Sequence, residues 1–329
     1  MQVIPGSAAR FDYVSLAFWL LEIAEKQSSK KALQYLQQYI EAKEITILFV
    51  SAIEGIKLSH SSQVTESIRL VPWDDLPTTQ QKDVVLRRSI TTKGRHPSSL
   101  LIHEAVISKT HVPQDEVNTT KLISLHYDDS DVVLCAGLFG PSAPRIVASW
   151  VELPEWMPSW GAGYSFPPQT EPSQEIDWPS EAYDSLPKLY KILKSLEERK
   201  QRYFRVPLDR LNKAIRRVSQ VDSAIDTGIA LEALFLSDQN DDRGELTFRL
   251  RVRGARYLHD SLDSRIPVFR TLGLLYRLRS IAVHTGILPD EIDGHNVREI
   301  LNQGYQITAK AIIGLINNGI PDWTRLILE

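Results

Sequence analysis

A proline-rich segment at residues 154–179 divides the chain into two parts with different hydrophobic patterns. Proline lacks a backbone N–H and fixes φ, so a run of prolines continues neither a helix nor a central strand. The segment also carries Trp156, Trp160 and Trp178, whose rings are seldom left in water. We predict a linker that packs in part on a domain surface, with a nucleotide-stacking platform as the alternative. Its prolines are Pro154, Pro158, Pro167, Pro168, Pro172 and Pro179.

The part before this segment shows first a helical and then an alternating pattern. Apolar residues recur every three or four positions over 10–43, and the Ser28-Ser29 pair is an expected break. From Glu44 the period changes to two, in runs rich in Val and Ile. We therefore predict an N-terminal helix followed by a mostly antiparallel β domain. The predicted strands lie at 45–49, 53–58, 67–71, 100–112, 121–138 and 145–153.

The part after the segment has helical spacing almost throughout, apart from a polar loop at 237–244. Proline fits the first turn of a helix, which places one helix start at Pro207. Several helices joined by short loops form an antiparallel bundle. The predicted fold class is α+β, with domains at 1–153 and 180–329 joined by the linker 154–179. The predicted helices are 181–200, the one from 207, 221–236, 245–262, 267–284 and 290–317.

Charge and cysteine content indicate which binding partners and which cellular compartment to expect. The net charge is −3, but residues 181–329 hold 23 Lys and Arg against 20 Asp and Glu. This mildly basic half permits an RNA partner, whereas the overall acidity argues against a non-specific DNA coat. A lone cysteine, Cys135, excludes an internal disulfide and fits a reducing compartment. With no leader-like N-terminus and no apolar run of membrane length, we expect a cytoplasmic protein without membrane contact.

The stretch 274–286 predicts the end of a buried helix that carries two polar residues. Arg279 and His284 interrupt an apolar stripe, Gly286 is a suitable left-handed C-cap, and Pro289 follows it. His284 therefore falls in the last turn, where the helix dipole favours a cation. The stripe consists of Val268, Leu272, Leu275, Leu278, Ile281 and Ala282.

Arg279, four intervening residues and His284 resemble the Arg-x4-6-His signature of HEPN domains. Residues 224–236, with the run Leu231-Glu232-Ala233-Leu234, are similar to the upstream helix of the Apea-like HEPN group in bacterial anti-phage proteins. The resemblance covers roughly residue 180 to the C-terminus. It implies an all-α bundle that dimerises and cleaves RNA, tRNA among the candidates, without a metal or other cofactor. It also implies a toxin or antiviral role, with 1–153 as a sensor or regulatory domain for a phage-derived trigger.

The resemblance assigns roles to the two polar residues. His284 is the expected general acid or base, since an imidazole exchanges protons near neutral pH. Arg279 is the expected phosphate stabiliser, because a guanidinium stays charged. Positions five apart differ by about 140° around a helix, so the two residues share no face unless the long arginine and the helix-end histidine converge. The resemblance implies a composite site of two such pairs at the two-fold axis of a homodimer. A helix-end histidine and a salt-bridged arginine with no catalytic role are the alternative.

Further residues are expected to support this site. Ser280 lies one turn before His284 and orients the imidazole or binds phosphate; serine departs from the Asn, Asp or His that many HEPN proteins have there. Glu232 and Asp226 are candidate acids that position Arg279, and a purely structural ion pair is the alternative for Glu232. Arg249, Arg253 and Arg256 share a helical face that guides RNA or is simply solvated.

No other sequence motif points to a different chemistry. The histidines and Cys135 show no zinc-ligand spacing, and the acidic run 128–131 lacks the Gly and terminal Glu of a calcium loop. We interpret that run as a hairpin turn. Two alternatives remain for the whole chain: a catalytically inert HEPN module for dimerisation or nucleotide and RNA binding, and a β domain that binds carbohydrate or peptide.

Overall fold

The computed structural model describes residues 13–93, 97–108, 116–140, 142–158, 165–166, 174–237 and 245–328. Two compact units divide the chain: Met1–Ser130 with Ile146–Pro168, and Asp131–Arg145 with Gln169–Glu329. The first unit contains an antiparallel sheet with helices, and the second is helical apart from short strands. The predicted α+β class with a helical C-terminal part is confirmed.

Two helices open the described part of the first unit, α1 (Tyr13–Lys26) and α2 (Ser29–Glu41). Ser28 caps α2 by accepting a hydrogen bond from the backbone N–H of Lys31, as an N-cap serine does. The expected break at this serine pair is confirmed. Tyr35 and Tyr39 are buried, so α2 packs on the core through its aromatic side.

A five-stranded sheet forms the centre of the first unit. Its order is β3-β4-β5-β1-β6, and β1 pairs antiparallel with β5 from Glu44↔Ser108 to Ile53↔Ser99. Odd and even residues of β1 enter different core clusters, because successive side chains point to opposite faces. Both faces of the sheet are therefore covered. The strands of the unit are β1 (Glu44–Glu54), β2 (Ile56–Lys57), β3 (Ser62–Gln63), β4 (Ile68–Pro72), β5 (Ser99–Ser108) and β6 (Arg145–Glu152).

Two helices lie where strands or no element were predicted. α3 (Gln80–Lys93) was not predicted, and α4 (Glu116–Ala136) replaces the strand expected at 121–138 and the hairpin turn at 128–131. In α4 the buried residues Leu125, Asp129 and Val132 recur at spacings of four and three. Short apolar runs fit both the strand period and the helical period, and the buried aspartate on the apolar face concealed the helical period.

The second unit is built from seven helices of the described chain, with short strands β7 (Ile176–Asp177), β8 (Glu291–Ile292) and β9 (His295–Asn296). The predicted helix start at Pro207 is wrong, because Pro207 lies inside α6 with its ring buried. An internal proline costs about 3 kcal/mol, which burial of the ring helps to offset. The helices are α5 (Ser180–Ser195), α6 (Glu198–Arg216), α7 (Gln220–Phe235), α8 (Leu246–Leu258), α9 (Leu262–Thr285), α10 (Val297–Asn318) and α11 (Trp323–Leu328).

The end of α9 follows the prediction, and the segment after it does not. Gly286 caps the helix with φ 69°, in the left-handed region that glycine adopts without strain. The helix predicted from residue 290 begins only at Val297, where the Asn296 side chain caps it. Before it, β8 and β9 form a hairpin whose turn residues Asp293 and Gly294 have positive φ. An Asp-Gly turn of this kind favours a hairpin over a helix start.

Candidate functional site on helices α7 and α9

The candidate site lies where α9 packs on α7. Gly228 of α7 contacts the aliphatic stem of Arg279: a Cβ at that position would lie 2.4 Å from Arg279 Cγ and 2.8 Å from its Cβ. Such distances are far inside ordinary carbon contact. The absence of a side chain at Gly228 therefore makes the groove in which Arg279 lies.

Glu232 holds the other end of the Arg279 side chain. It lies four residues after Gly228 on the same face of α7 and accepts a hydrogen bond from Arg279 Nη2 at 3.3 Å. The two side chains are 28% and 29% exposed, so the pair is partly shielded from water. Arg279 Nε is buried and has no hydrogen-bond partner among the described residues. Arg279 is therefore the partner of Glu232, and this contact fits both a positioning role and a structural ion pair.

His284 occupies the last turn of α9 and is exposed. It forms no hydrogen bond or ion pair with any residue in the described ranges. Val283, 50% exposed, and Ile287, 73% exposed, lie on either side of it in the chain. The imidazole is therefore accessible to a substrate or to another protein chain.

Arg279 and His284 do not form a pair within one chain. Five positions along a helix correspond to a rotation of about 140°, and no hydrogen bond joins the two side chains in the described structure. Ser280 is half-buried and, within the same ranges, makes no side-chain hydrogen bond to either. A single chain thus presents the arginine and the histidine in different directions.

Asp226 does not support Arg279. It is 3% exposed and accepts hydrogen bonds from Arg210 Nη1 at 2.7 Å and Arg217 Nε at 3.0 Å, both from the α6 side. The expectation that Asp226 positions the candidate catalytic arginine is corrected: it is a buried anion shared by two other arginines.

The three arginines of α8 that were expected to bind RNA are not equivalent. Arg253 is 4% exposed, donates to the carbonyl oxygen of Phe235 at 2.6 Å, and lies over the Trp323 ring at 5.3 Å. This placement contradicts an RNA-binding role for Arg253, since its guanidinium does not reach solvent. Arg249 and Arg256 are half-buried on either side of it, and an RNA contact for these two stays a prediction.

A buried polar cluster in the first unit escaped the sequence interpretation. Asp129 accepts a hydrogen bond from Ser51 Oγ at 2.6 Å and lies 3.2 Å from His103 Nδ1, while Ser51 Oγ is 3.0 Å from Ser149 Oγ. Burial raises the pKa of Asp129 to about 6, although the hydrogen bonds from His103 and Ser51 act in the opposite direction. No local motif announces this cluster, because its members come from three strands and a helix.

The cluster has the residue types of a nucleophilic triad but not its connectivity. In such a triad the histidine lies between serine and carboxylate and takes the serine proton. Here Asp129 is the central group and receives Ser51 directly. This is not the arrangement in which a histidine takes the serine proton. Because all four side chains are buried, we interpret the cluster as part of the core.

A second buried charge has a structural role as well. The Lys82 ammonium donates to the carbonyl oxygens of Trp73 and Leu76 and lies over the Trp73 ring. Burial lowers the pKa of Lys82, and burial raises the pKa of the neighbouring Glu152, which accepts from Trp150 and Thr79. Lys82 thereby fixes the turn between β4 and α3.

Across the described ranges, no group of three His, Cys, Asp or Glu side chains is placed to hold a metal ion. In the same residues no helix is both long and apolar enough to span a membrane. Comparison with models of known protein families, with curated proteins and with solved structures finds no match.

Proposed function

We propose that this chain is a metal-independent endoribonuclease of the HEPN type that acts as a homodimer. The observation that supports the proposal is that α9 carries both an arginine held in a fixed position and an accessible histidine. Gly228 and Glu232 hold Arg279, and His284 lies exposed five residues later at the helix end. The resemblance of 224–236 and 279–286 to Apea-like HEPN proteins supplies the reaction class.

The reaction is cleavage of RNA by its own 2′-OH. His284 removes the 2′ proton or protonates the leaving 5′ oxygen, roles that suit a group that exchanges protons near neutral pH. Arg279 donates to the non-bridging phosphate oxygens as negative charge develops. Glu232 fixes the orientation of that guanidinium, and this lowers the cost of arranging it during the reaction.

A homodimer completes the site. Since Arg279 and His284 face different directions in one chain, a two-fold axis near the end of α9 brings the residues of two protomers together. The exposed Val283 and Ile287 beside His284 supply apolar surface for such a contact. The proposed setting is anti-phage defence or a toxin, with tRNA among the candidate substrates and the N-terminal part responding to a phage-derived trigger in the cytoplasm.

The test is cleavage of tRNA and total RNA in excess EDTA by the purified chain. We expect His284→Ala and Arg279→Ala to lower the rate at least about a hundredfold, as loss of a general acid or base does. The matched controls His295→Ala and Arg270→Ala replace exposed residues of the same types in the same unit and should cut as the wild type does. Equal activity of wild type and both site variants would remove these residues from the mechanism.

The second candidate is an inert HEPN module that dimerises or binds nucleotide or RNA. The observation in its favour is the Arg279–Glu232 ion pair, which stabilises the α7–α9 contact without any catalysis. On this view neither wild type nor variants cut RNA or harm cells on overexpression, with dimer formation intact. Toxicity that disappears in His284→Ala and Arg279→Ala, but not in the two controls, would decide for a ribonuclease that awaits its trigger.

A further inference from the structure

The most basic stretch of the chain lies outside the candidate site. Residues 188–217 contain eleven Lys and Arg against three Asp and Glu, in a protein whose net charge is −3. These residues form the second half of α5 and all of α6. Asp131 and Asp226, which approach this region from other elements, reduce the excess from eight charges to six. A strong positive field therefore belongs to one part of the second unit.

Five of the basic residues at 199–217 share one side of the helix. These five residues follow one another at spacings of three and four, if Val206 is counted as the uncharged third position of the series. The opposite side of the helix is buried and carries Phe204, Pro207, Leu208, Leu211 and Ala214. From the first of these charges to the last, the helix rises about 27 Å. None of the five belongs to the buried class. We call this set the α6 basic face: Arg199, Arg202, Arg210, Lys213 and Arg217.

Buried Asp226 anchors two members of this face. Arg210 and Arg217 are two turns apart and donate to different oxygens of the same carboxylate, which is 4% exposed. Their own side chains are 36% and 33% exposed. One buried negative charge thus orients two positive charges whose outer edges reach solvent. Oriented, part-exposed guanidinium groups are suited to phosphate, which they bind through planar N–H donors.

In two other ion pairs of the α6 basic face, a phosphate can readily replace the carboxylate. Arg202 pairs with Glu198 and Lys213 with Asp209, each four residues apart on the helix surface. All four side chains are at least 37% exposed, so water and salt weaken both pairs. A polyanion that brings several phosphates at once competes well with such single contacts, since it also releases its own counterions.

We propose that the α6 basic face binds the phosphodiester backbone of a nucleic acid. The inference deepens the proposed function, because it names the surface that holds the substrate; it rests on that function only for the identification of the nucleic acid as RNA. Contacts from charged side chains to phosphate oxygens carry no sequence information, so the α6 basic face is expected to bind the backbone and not the bases. The binding is therefore strongly salt-dependent and sequence-tolerant.

The experiment measures binding without cleavage. A labelled single-stranded RNA oligonucleotide is titrated with the full-length His284→Ala protein, which should not cut it, at several salt concentrations. A DNA oligonucleotide of the same sequence has no 2′-OH and is titrated with the wild-type protein in the same way. The test variant is Arg199→Gln/Arg202→Gln/Lys213→Gln, which leaves the buried Asp226 and its two partners in place. The matched control is Arg270→Gln/Arg298→Gln/Lys310→Gln, which removes the same three charges from exposed positions on α9 and α10.

We expect the test variant to bind about tenfold more weakly than its parent at intermediate salt. Its slope of log K against log salt should fall by about two, as expected for three lost contacts to a single strand. The control should keep the parent slope. An equal loss in both variants means general attraction by net charge and overturns the inference. The inference is also overturned if these residues are needed for binding to vesicles with anionic lipid but not for binding to RNA.

The two proposals fail separately in this design. Salt-dependent binding that the test variant loses, together with a wild type that neither cuts RNA nor harms cells on overexpression, retains the α6 basic face and removes the nuclease. Cleavage by the wild type with unchanged binding by the test variant retains the nuclease and places its substrate on another surface.

Discussion

Replacement of Gly228 by alanine tests whether the groove on α7 positions Arg279. The new methyl group would lie 2.4 Å from Arg279 Cγ, whereas carbon atoms in contact need about 3.5 Å or more. The arginine stem must therefore move by about 1 Å. A displacement of that size in a catalytic group costs on the order of a hundredfold in rate.

The effect on stability should be small by comparison. Overpacking costs about 1–3 kcal/mol, but alanine is better than glycine inside a helix by about 1 kcal/mol. The expected loss in free energy of unfolding is therefore about 0–2 kcal/mol. A hundredfold loss of rate in a chain that remains folded separates a positioning effect from general damage.

Gly273→Ala on α9 is the matched control. Its methyl group would meet the far end of Arg251, with Nε at 2.9 Å and Cζ at 3.1 Å, and leaves Arg279 untouched. The assay combines urea unfolding with the initial rate of RNA cleavage at saturating and limiting RNA. We expect kcat to fall for Gly228→Ala with little change in KM, and neither to change for Gly273→Ala. Equal rates for the two variants at equal stability would refute the positioning role of Gly228.

Three further predictions concern buried groups. Burial raises the pKa of Asp129 from 3.8 to about 6, so the folded state favours the protonated carboxyl. This preference stabilises the fold by about 3 kcal/mol below about pH 4, and the stabilisation is lost as the pH rises through 6. Asp129→Asn should remove that dependence, measured by hydrogen exchange of the β1 amides between pH 4 and 8, and a parallel pH profile in the variant would contradict it. Arg253→Met leaves the Phe235 carbonyl unpaired and should cost about 1–3 kcal/mol in urea unfolding, without altering the salt slope of RNA binding. Burial also raises the pKa of the Cys135 thiol, so a thiol reagent should modify it only at the rate at which the second unit opens, which a denaturant series measures.

The parts of the fold that could be predicted are those whose signal is local. The end of α9 follows from Gly286, and α7 follows from its own apolar spacing. The strands β1, β4, β5 and β6 follow from alternation, although the register of β1 with β5 does not. In these elements the residues that decide the structure are neighbours in sequence.

The parts that could not be predicted depend on distant partners. The apolar pattern of α4 fits either a strand or a buried helix. The helix is accompanied by a contact between Asp129 and Ser51, which are 78 residues apart. The proline inside α6 looks like a helix start until its burial in the second unit is known. The same holds for Arg253, which spacing alone assigned to a surface with Arg249 and Arg256.

Two carboxylates on α7 show how the same charge serves stability in one place and orientation in another. Asp226 is buried and compensates two arginines, so Asp226→Asn should lower the free energy of unfolding by about 2–3 kcal/mol. The loss is smaller than the roughly 3–5 kcal/mol of a fully buried pair because Arg210 and Arg217 reach solvent. Glu232 is part-exposed and faces one arginine, so Glu232→Gln should cost about 1 kcal/mol or less. Cleavage rate per folded molecule should change in the opposite order, because only Glu232 fixes Arg279. Urea unfolding and single-turnover cleavage of the two variants decide the matter: a slow, stable Asp226→Asn beside a fast, unstable Glu232→Gln would reverse the assignment of the two carboxylates.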